Sequence, residues 1–217
     1  GNTFDFKRVD SFLYTSKELE TKEMEEEYKI RKEGGLDVEL INKDNNPFSL
    51  DVKAGVISKC GGAKIDPYKF THALLDASTK KGLKVYENTE VIKIEYNKDE
   101  VIAETVYGHK VKGKIIVVAT GYNTALFTKR NFGIKTTTFN IATKPINNIQ
   151  EIYKNVVIRD NEVPYNYLRT TSDNRLIIGG EDINFVPDIY NEKLCNKSYE
   201  KLEQMLFVAC LIWKKYI

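Results

Sequence analysis

Hydrophobic positions recur at helical spacing in one well-marked stretch of the chain and as short β-forming runs in most of the rest. Asp66-Pro67 stands as an N-cap followed by proline at the first helical position, Phe70, Leu74, Leu75 and Ala77 follow at helical spacing, and Gly82 is placed to terminate. A helix opening at Pro67 is therefore predicted, with a short strand at Leu83 to Tyr86 after it. Val91 to Tyr96, a polar turn at Asn97-Lys98-Asp99 and Val101 to Val106 predict a β-hairpin, and a turn at Gly108-His109 leads into Val111 to Gly113. The next run, Ile115-Ile116-Val117-Val118-Ala119-Thr120-Gly121, does not alternate. A short β-branched run without polar interruption predicts a strand covered on both faces.

Towards the N-terminus, Phe4 to Thr15 alternates loosely and contains Phe12-Leu13-Tyr14, a strand pattern. Thr15-Ser16-Lys17-Glu18 then has capping-box spacing ahead of a Glu/Lys-rich helix that ends at Gly34-Gly35. The apolar positions of that helix (Leu19, Met24, Tyr28, Ile30) are few, so its charges read as an exposed face carrying intrahelical ion pairs. Asn42 to Pro47 reads as a polar loop. Thr136 to Thr143, Asn155 to Ile158, Tyr165 to Thr170 and Arg175 to Ile178 are β-formers, with Asp173-Asn174 as the turn between the last two, and together they predict a separate antiparallel sheet. Asn191 to Trp213 is helix-compatible. The pattern predicts a mixed α/β (α+β) fold: an antiparallel sheet with helices beside a layered α/β part.

Composition narrows the function. The 217 residues are 41% hydrophobic and 29% charged with only 13 Gly and 5 Pro, which excludes a collagenous, low-complexity or mostly disordered chain. Basic and acidic residues number 33 and 31, a net charge of +2, so no single-sign field draws in a nucleic acid or an anionic membrane, and a small molecule is the expected partner. The apolar stretch Met205 to Trp213 is far shorter than the roughly 20 residues of a membrane-spanning helix. Three cysteines, Cys60, Cys195 and Cys210, show no CxxC spacing, which disfavours a disulfide framework and a zinc knuckle and points to a reducing cytoplasm. Cys60 reads as a buried small hydrophobe, and His72 and His109 as structural or solvated, so no metal is expected. No G-x-S-x-G elbow of a hydrolase occurs.

The order of these elements carries a resemblance. Asp66-Pro67 opening a helix, Thr89-Glu90-Val91 entering a meander, and a strand closing with Ala119-Thr120-Gly121 resemble the later part of the flavin-binding domain of the D-amino acid oxidase and glycine oxidase superfamily of FAD-dependent oxidoreductases. Phe12-Leu13-Tyr14 before an acidic helix, and Arg175-Leu176-Ile177-Ile178-Gly179-Gly180, are similar to that family's flanking segments, so the resemblance runs from about Phe4 to Asp182. It implies FAD as cofactor. Val91 would then contact the adenine end through its backbone, and Ala119, Thr120 and Gly121 would lie near the pyrophosphate, where small residues at a strand's carboxyl end let main chain approach a ligand. From spacing alone Gly121 reads first as a simple strand-to-loop glycine, and it is the resemblance that reverses this. The family's G-x-G-x-x-G turn, which receives the pyrophosphate at a helix N-terminus, does not occur in this sequence. The expectation is therefore a fragment, catalytically inert by itself, with residues 1–62 and 124–185 forming the substrate-binding domain, 63–123 a partial FAD-binding domain, and 186–217 a truncated helical segment of the latter.

The substrate candidates lie in Pro164-Tyr165-Asn166-Tyr167-Leu168-Arg169. In a strand, Tyr165, Tyr167 and Arg169 project from one face, and a guanidinium fork with two phenols suits a carboxylate. Arg175 is the competing guanidinium, and an exposed aromatic and charge ladder is the competing reading. The expected activity of the parent is oxidation of a small amino acid, amine or 2-hydroxy acid by hydride transfer to flavin; the alternative is a non-catalytic ligand-binding module derived from the same fold.

Overall fold

A computed structural model describes residues 4–123, 128, 130, 133, 135–185 and 192–211. The chain forms two units, Gly1–Ala73 with Lys135–Ile217, and Leu74–Ile134.

The first unit is built on a seven-stranded sheet. Its strands are β1 (Lys7–Thr15), β2 (Val38–Asn42), β3 (Ala54–Lys64), β7 (Thr136–Ala142), β8 (Val156–Asp160), β9 (Tyr167–Thr170) and β10 (Leu176–Asn184), in the order β2-β3-β1-β8-β9-β10-β7. β1 and β8 run parallel and all the other neighbours antiparallel. The β-formers after Thr136 thus make no separate sheet: β8 joins them to the N-terminal strands. β2 and β3 are strands that the pattern does not announce. β3 bulges at Lys59 to Gly61 opposite Asp10 of β1, and a side chain at Gly62, just after the bulge, would run into Val157 of β8. Cys60 lies in this bulge with φ 52°. It is exposed rather than a buried hydrophobe, because its N–H is taken by the Asp10 carboxylate at 2.9 Å.

The register places Phe12, Ile158, Leu168 and Ile178 side by side across four strands, and all four are buried. Phe12 stacks on Phe48 at 4.7 Å, and Phe48 meets Tyr153 edge-on at 5.7 Å. Helix α4 (Glu192–Leu211) closes this face with Leu202 and Ala209, and its Tyr199 packs edge-on against Phe139 of β7 at 5.3 Å. Asn191 and Trp213, the expected ends of that helix, lie outside the described residues. The single turn α3 (Glu151–Lys154) brings Tyr153 into the same core.

The acidic helix follows the expected capping logic one turn late. The Thr15 hydroxyl accepts the Lys17 N–H and donates to Glu20, not Glu18, a 3-10 turn covers Glu18–Glu20, and α1 runs Thr21–Glu33 with Met24 as its buried residue. Gly35 at φ 81° ends it. α2 (Pro67–Thr79) starts as predicted, with the Asp66 carboxylate accepting the Lys69 N–H at 3.0 Å.

The second unit holds the meander β4 (Val91–Tyr96), β5 (Val101–Thr105) and β6 (Lys110–Gly113), in that order. Two expectations fail here. Leu83 to Tyr86 forms no strand, and Leu83, Val85 and Tyr86 are exposed. Ile115 to Thr120 is neither a strand nor buried: Ile115 and Val117 are 83% and 84% exposed. β-branching favours extended backbone, but a strand exists only where a neighbour supplies the ladder, and no strand among the described residues pairs with this run.

Candidate functional site

Opposite the buried face, the same register sets out two rows on a half-open face of the sheet. Leu13, Arg159, Tyr167 and Gly179 form one, and Ser11, Val157, Arg169 and Ile177 the other. Tyr167 and Arg169 are therefore neighbours on one face of β9, as the alternation predicts.

Gly179 and Gly180 make room for this arrangement. A Cβ at Gly179 would lie 2.5 Å from Tyr167 Cζ, so the tyrosine ring occupies the space above the glycine on β10. At Gly180, φ is 137° and a Cβ would meet Tyr165 O and Asn166 Oδ1, both at 2.5 Å, so this glycine seats the segment that enters β9. The buried Asp160 carboxylate holds that segment, accepting the Asn166 N–H at 2.8 Å and its side-chain amide at 3.0 Å. Burial pushes the Asp160 carboxyl above its ordinary value against those hydrogen bonds. Burial, followed by the nearby Asp160 charge, also pushes the Tyr14 phenol up.

Two cavities open on this face. One of about 790 Å³ is lined by Tyr165, Tyr167, Arg159, Arg31, Glu27 and Leu13, among others. Arg159 lies over the Tyr165 ring at 4.4 Å from its centroid, a cation–π contact that holds both side chains at the rim. Arg31 is tied to Glu27 at 2.6 Å and to the Ser58 hydroxyl at 3.0 Å. The other cavity, about 620 Å³, is lined by Arg169, Lys64, Lys7, Lys154 and the turn Thr171 to Asn174, with Asp5 and Asp66.

The structure thus brings Tyr165 and Tyr167 to one cavity and Arg169 to the other, one residue pair apart on the same sheet face. Arg175 lines neither of the two. Its Nε donates to Asp173 at 2.7 Å and its Nη1 to the Thr143 carbonyl at 3.2 Å, closing the β9–β10 turn. By contrast, no carboxylate among the described residues pairs with Arg169. Arg159, Arg31 and Lys64 escape the sequence reading. Continued alternation one residue past Ile158 would have shown Arg159 facing Tyr167, whereas Lys64 is hidden at the end of a glycine-containing strand.

For a dinucleotide, Val91 opens β4 beside a bulge, with its side chain exposed. Ala119, Thr120 and Gly121 end the unpaired run, with Thr120 donating to Asn123 O at 2.5 Å and Gly121 at φ 59°. The main-chain groups of Ile116 to Ala119 meet no partner among the described residues. Such groups fit one edge of a dinucleotide, since bare N–H donors and a left-handed glycine allow a phosphate close approach. Among the described residues of Leu74–Ile134 no helix begins.

The first unit thus carries a half-open sheet face bearing arginine and tyrosine, and the second a small three-stranded meander. The chain belongs to the FAD dependent oxidoreductase family (DAO), whose profile matches residues 1–209. Among solved structures it resembles glycine oxidase from Bacillus cereus ATCC 14579, with a TM-score of 0.78 and 16% identity over 99% of this chain and 59% of that one. L-proline dehydrogenase from P. horikoshii matches with a TM-score of 0.68 and 22% identity over 94% of this chain and 58% of that one. Iminodiacetate oxidase from Chelativorans sp. BNC1 matches with a TM-score of 0.71 and 14% identity over 96% and 57%. The chain spans less than two thirds of the length of each, and the likeness is one of fold. A comparison with curated protein sequences found no match. No helix among the described residues is long and apolar enough to cross a membrane.

Proposed function

We propose that this chain is the substrate-binding part, with a portion of the FAD-binding part, of an oxidoreductase acting on a small amino acid, amine or 2-hydroxy acid. The observation that carries this reading is Arg169, a guanidinium without a carboxylate partner among the described residues, standing beside Tyr167 on the open sheet face. In this reading Arg169 takes the substrate carboxylate as a bidentate pair. Tyr167, held over Gly179, orients the carbon that is oxidised, and Tyr165 with Arg159 walls the site from water. Arg175 keeps the turn. Val91, Ala119, Thr120 and Gly121 hold the cofactor's edge through main-chain groups. When bound, FAD supplies the electron sink for oxidising the C–N or C–O bond, while the protein binds, orients and excludes solvent. That the structural relatives include a glycine oxidase, an L-proline dehydrogenase and an iminodiacetate oxidase supports an amino-acid-like substrate, and the family supports the flavin.

The test is substitution in the flavin-loaded, full-length enzyme. Arg169→Ala raises KM for the carboxylate substrate by orders of magnitude and leaves flavin content unchanged, whereas Arg175→Ala lowers stability and spares KM. An unchanged KM in Arg169→Ala overturns the assignment. The 217-residue chain by itself is expected to be inert and to purify without flavin absorbance at about 450 nm.

A further inference from the structure

At the end of the sheet where β3 finishes and β1 begins, Lys64 and Lys7 are direct cross-strand partners. Like charges opposite one another in an antiparallel pair repel, so the pair needs a counter-charge. None is built in. Lys64 Nζ donates to the Lys154 carbonyl at 2.7 Å and to the Thr170 hydroxyl at 2.8 Å, and Lys7 Nζ donates to Asn155 Oδ1 at 2.7 Å, all neutral acceptors. Arg169 reaches the same cavity with no carboxylate on it.

The acids on the cavity wall are engaged elsewhere. Asp5 takes Lys69 at 2.8 Å and the Ser172 hydroxyl at 2.9 Å; Asp66 caps α2; Asp173 holds Arg175. Lys154 has Glu151 at 3.7 Å. Three cations with no ion-paired carboxylate among the described residues thus share a cavity of about 620 Å³.

We propose that this cavity is a subsite for a dianionic oxyanion group, a second carboxylate or a phosphate monoester, received by Lys7 and Lys64 next to Arg169. The inference deepens the functional reading above by giving the substrate a second acid group, and it rests on that reading for the first carboxylate, on Arg169. Charge state supports it. Half-burial, then Lys7, then Arg169 hold the Lys64 ammonium down to about 8, with Glu151 opposing them. The ammonium is thus largely charged at neutral pH, and a bound anion pulls its pKa back up.

Titration calorimetry on the purified chain at low ionic strength and pH 7 tests this with malonate as the dicarboxylate, sulfate as the tetrahedral dianion and acetate as the monoanion. The expected result is that malonate or sulfate binds at least ten-fold more tightly than acetate, the tighter of the two identifying the kind of group. Lys64→Gln and Lys7→Gln each weaken that dianion ten-fold or more and leave acetate unchanged, and raising the pH to 9 weakens it in the wild type. Lys7 is exposed, so its variant keeps the test intact if Lys64→Gln does not fold. Equal affinity for acetate and both dianions, no dianion binding, or wild-type dianion binding in Lys7→Gln overturns the proposal. If the lysine variants lose the dianion while Arg169→Ala changes neither acetate binding nor the full-length enzyme's KM, the subsite stands and the carboxylate role of Arg169 falls.

Discussion

Lys64 shows what partial burial, and after it a sheet partner of the same sign, does to a charge. Its pKa stands at about 8, against an ordinary value of 10.5, so between those values the unfolded chain binds more protons at this position than the folded one. Stability contributed by this group therefore rises as pH goes from about 8 to 10.5. Urea midpoints of wild type and Lys64→Met, compared at pH 7.5 and 10.5, should move apart in the wild type's favour as pH rises. Exposed lysines with the opposite shift, such as Lys17 and Lys69, cancel in the comparison. A constant difference would mean that the folded chain does not hold the Lys64 ammonium below its ordinary value. At this scale the sequence is legible wherever a period applies: alternation alone puts Tyr167 and Arg169 on one face. It does not reveal that Arg175 is consumed by Asp173 and Thr143, because that depends on how tightly the turn closes.

The element that prepares the site is the β9–β10 hairpin, and its glycines explain why. Gly179 gives its side-chain volume to the Tyr167 ring, so Gly179→Ala forces that ring to move or the strands to part, an overpacking cost of about 1–3 kcal/mol. The expected outcome is a lower urea midpoint together with weaker substrate binding in the full-length enzyme, since the displaced ring is the one proposed to orient the substrate. Unchanged midpoint and binding would show that Tyr167 is free to lie elsewhere. Glycine has the opposite effect on legibility. Gly61-Gly62 in β3 reads as a break in the sequence, yet both lie inside a strand, where side chains would collide with Ser58 and Val157. α2, by contrast, is legible from its start because its cap is local: Asp66, Pro67 and Lys69 determine it without help from the rest of the chain.

Across the whole molecule, burial divides unevenly between the two units. The core from Phe12 to Leu202 belongs to Gly1–Ala73 with Lys135–Ile217, whereas in Leu74–Ile134 only Thr105 is buried among the described residues. A three-stranded meander with apolar residues as exposed as Val91, Ile92 and Val111 has little hydrophobic free energy to resist opening. The run Ile115 to Ala119 has no ladder among the described residues and only half-buries Ile116 and Val118, although its composition is that of a buried strand; pattern reveals what a segment prefers, and only neighbours decide whether it obtains it. Amide hydrogen exchange on this chain should therefore fall into distinct classes. The amides of β1 and β8 exchange only through global unfolding, those of β4 to β6 through a lower-energy local opening, and those of Ile116 to Ala119 with almost no protection. In the flavin-loaded, full-length enzyme, the proposed cofactor contact predicts that this last group becomes protected, by a factor that falls when FAD is removed. Exchange at Ile116 to Ala119 as slow as in β1 in the isolated chain would mean that the run has found a pairing partner within this chain, and the main-chain groups assigned to the cofactor would already be spent.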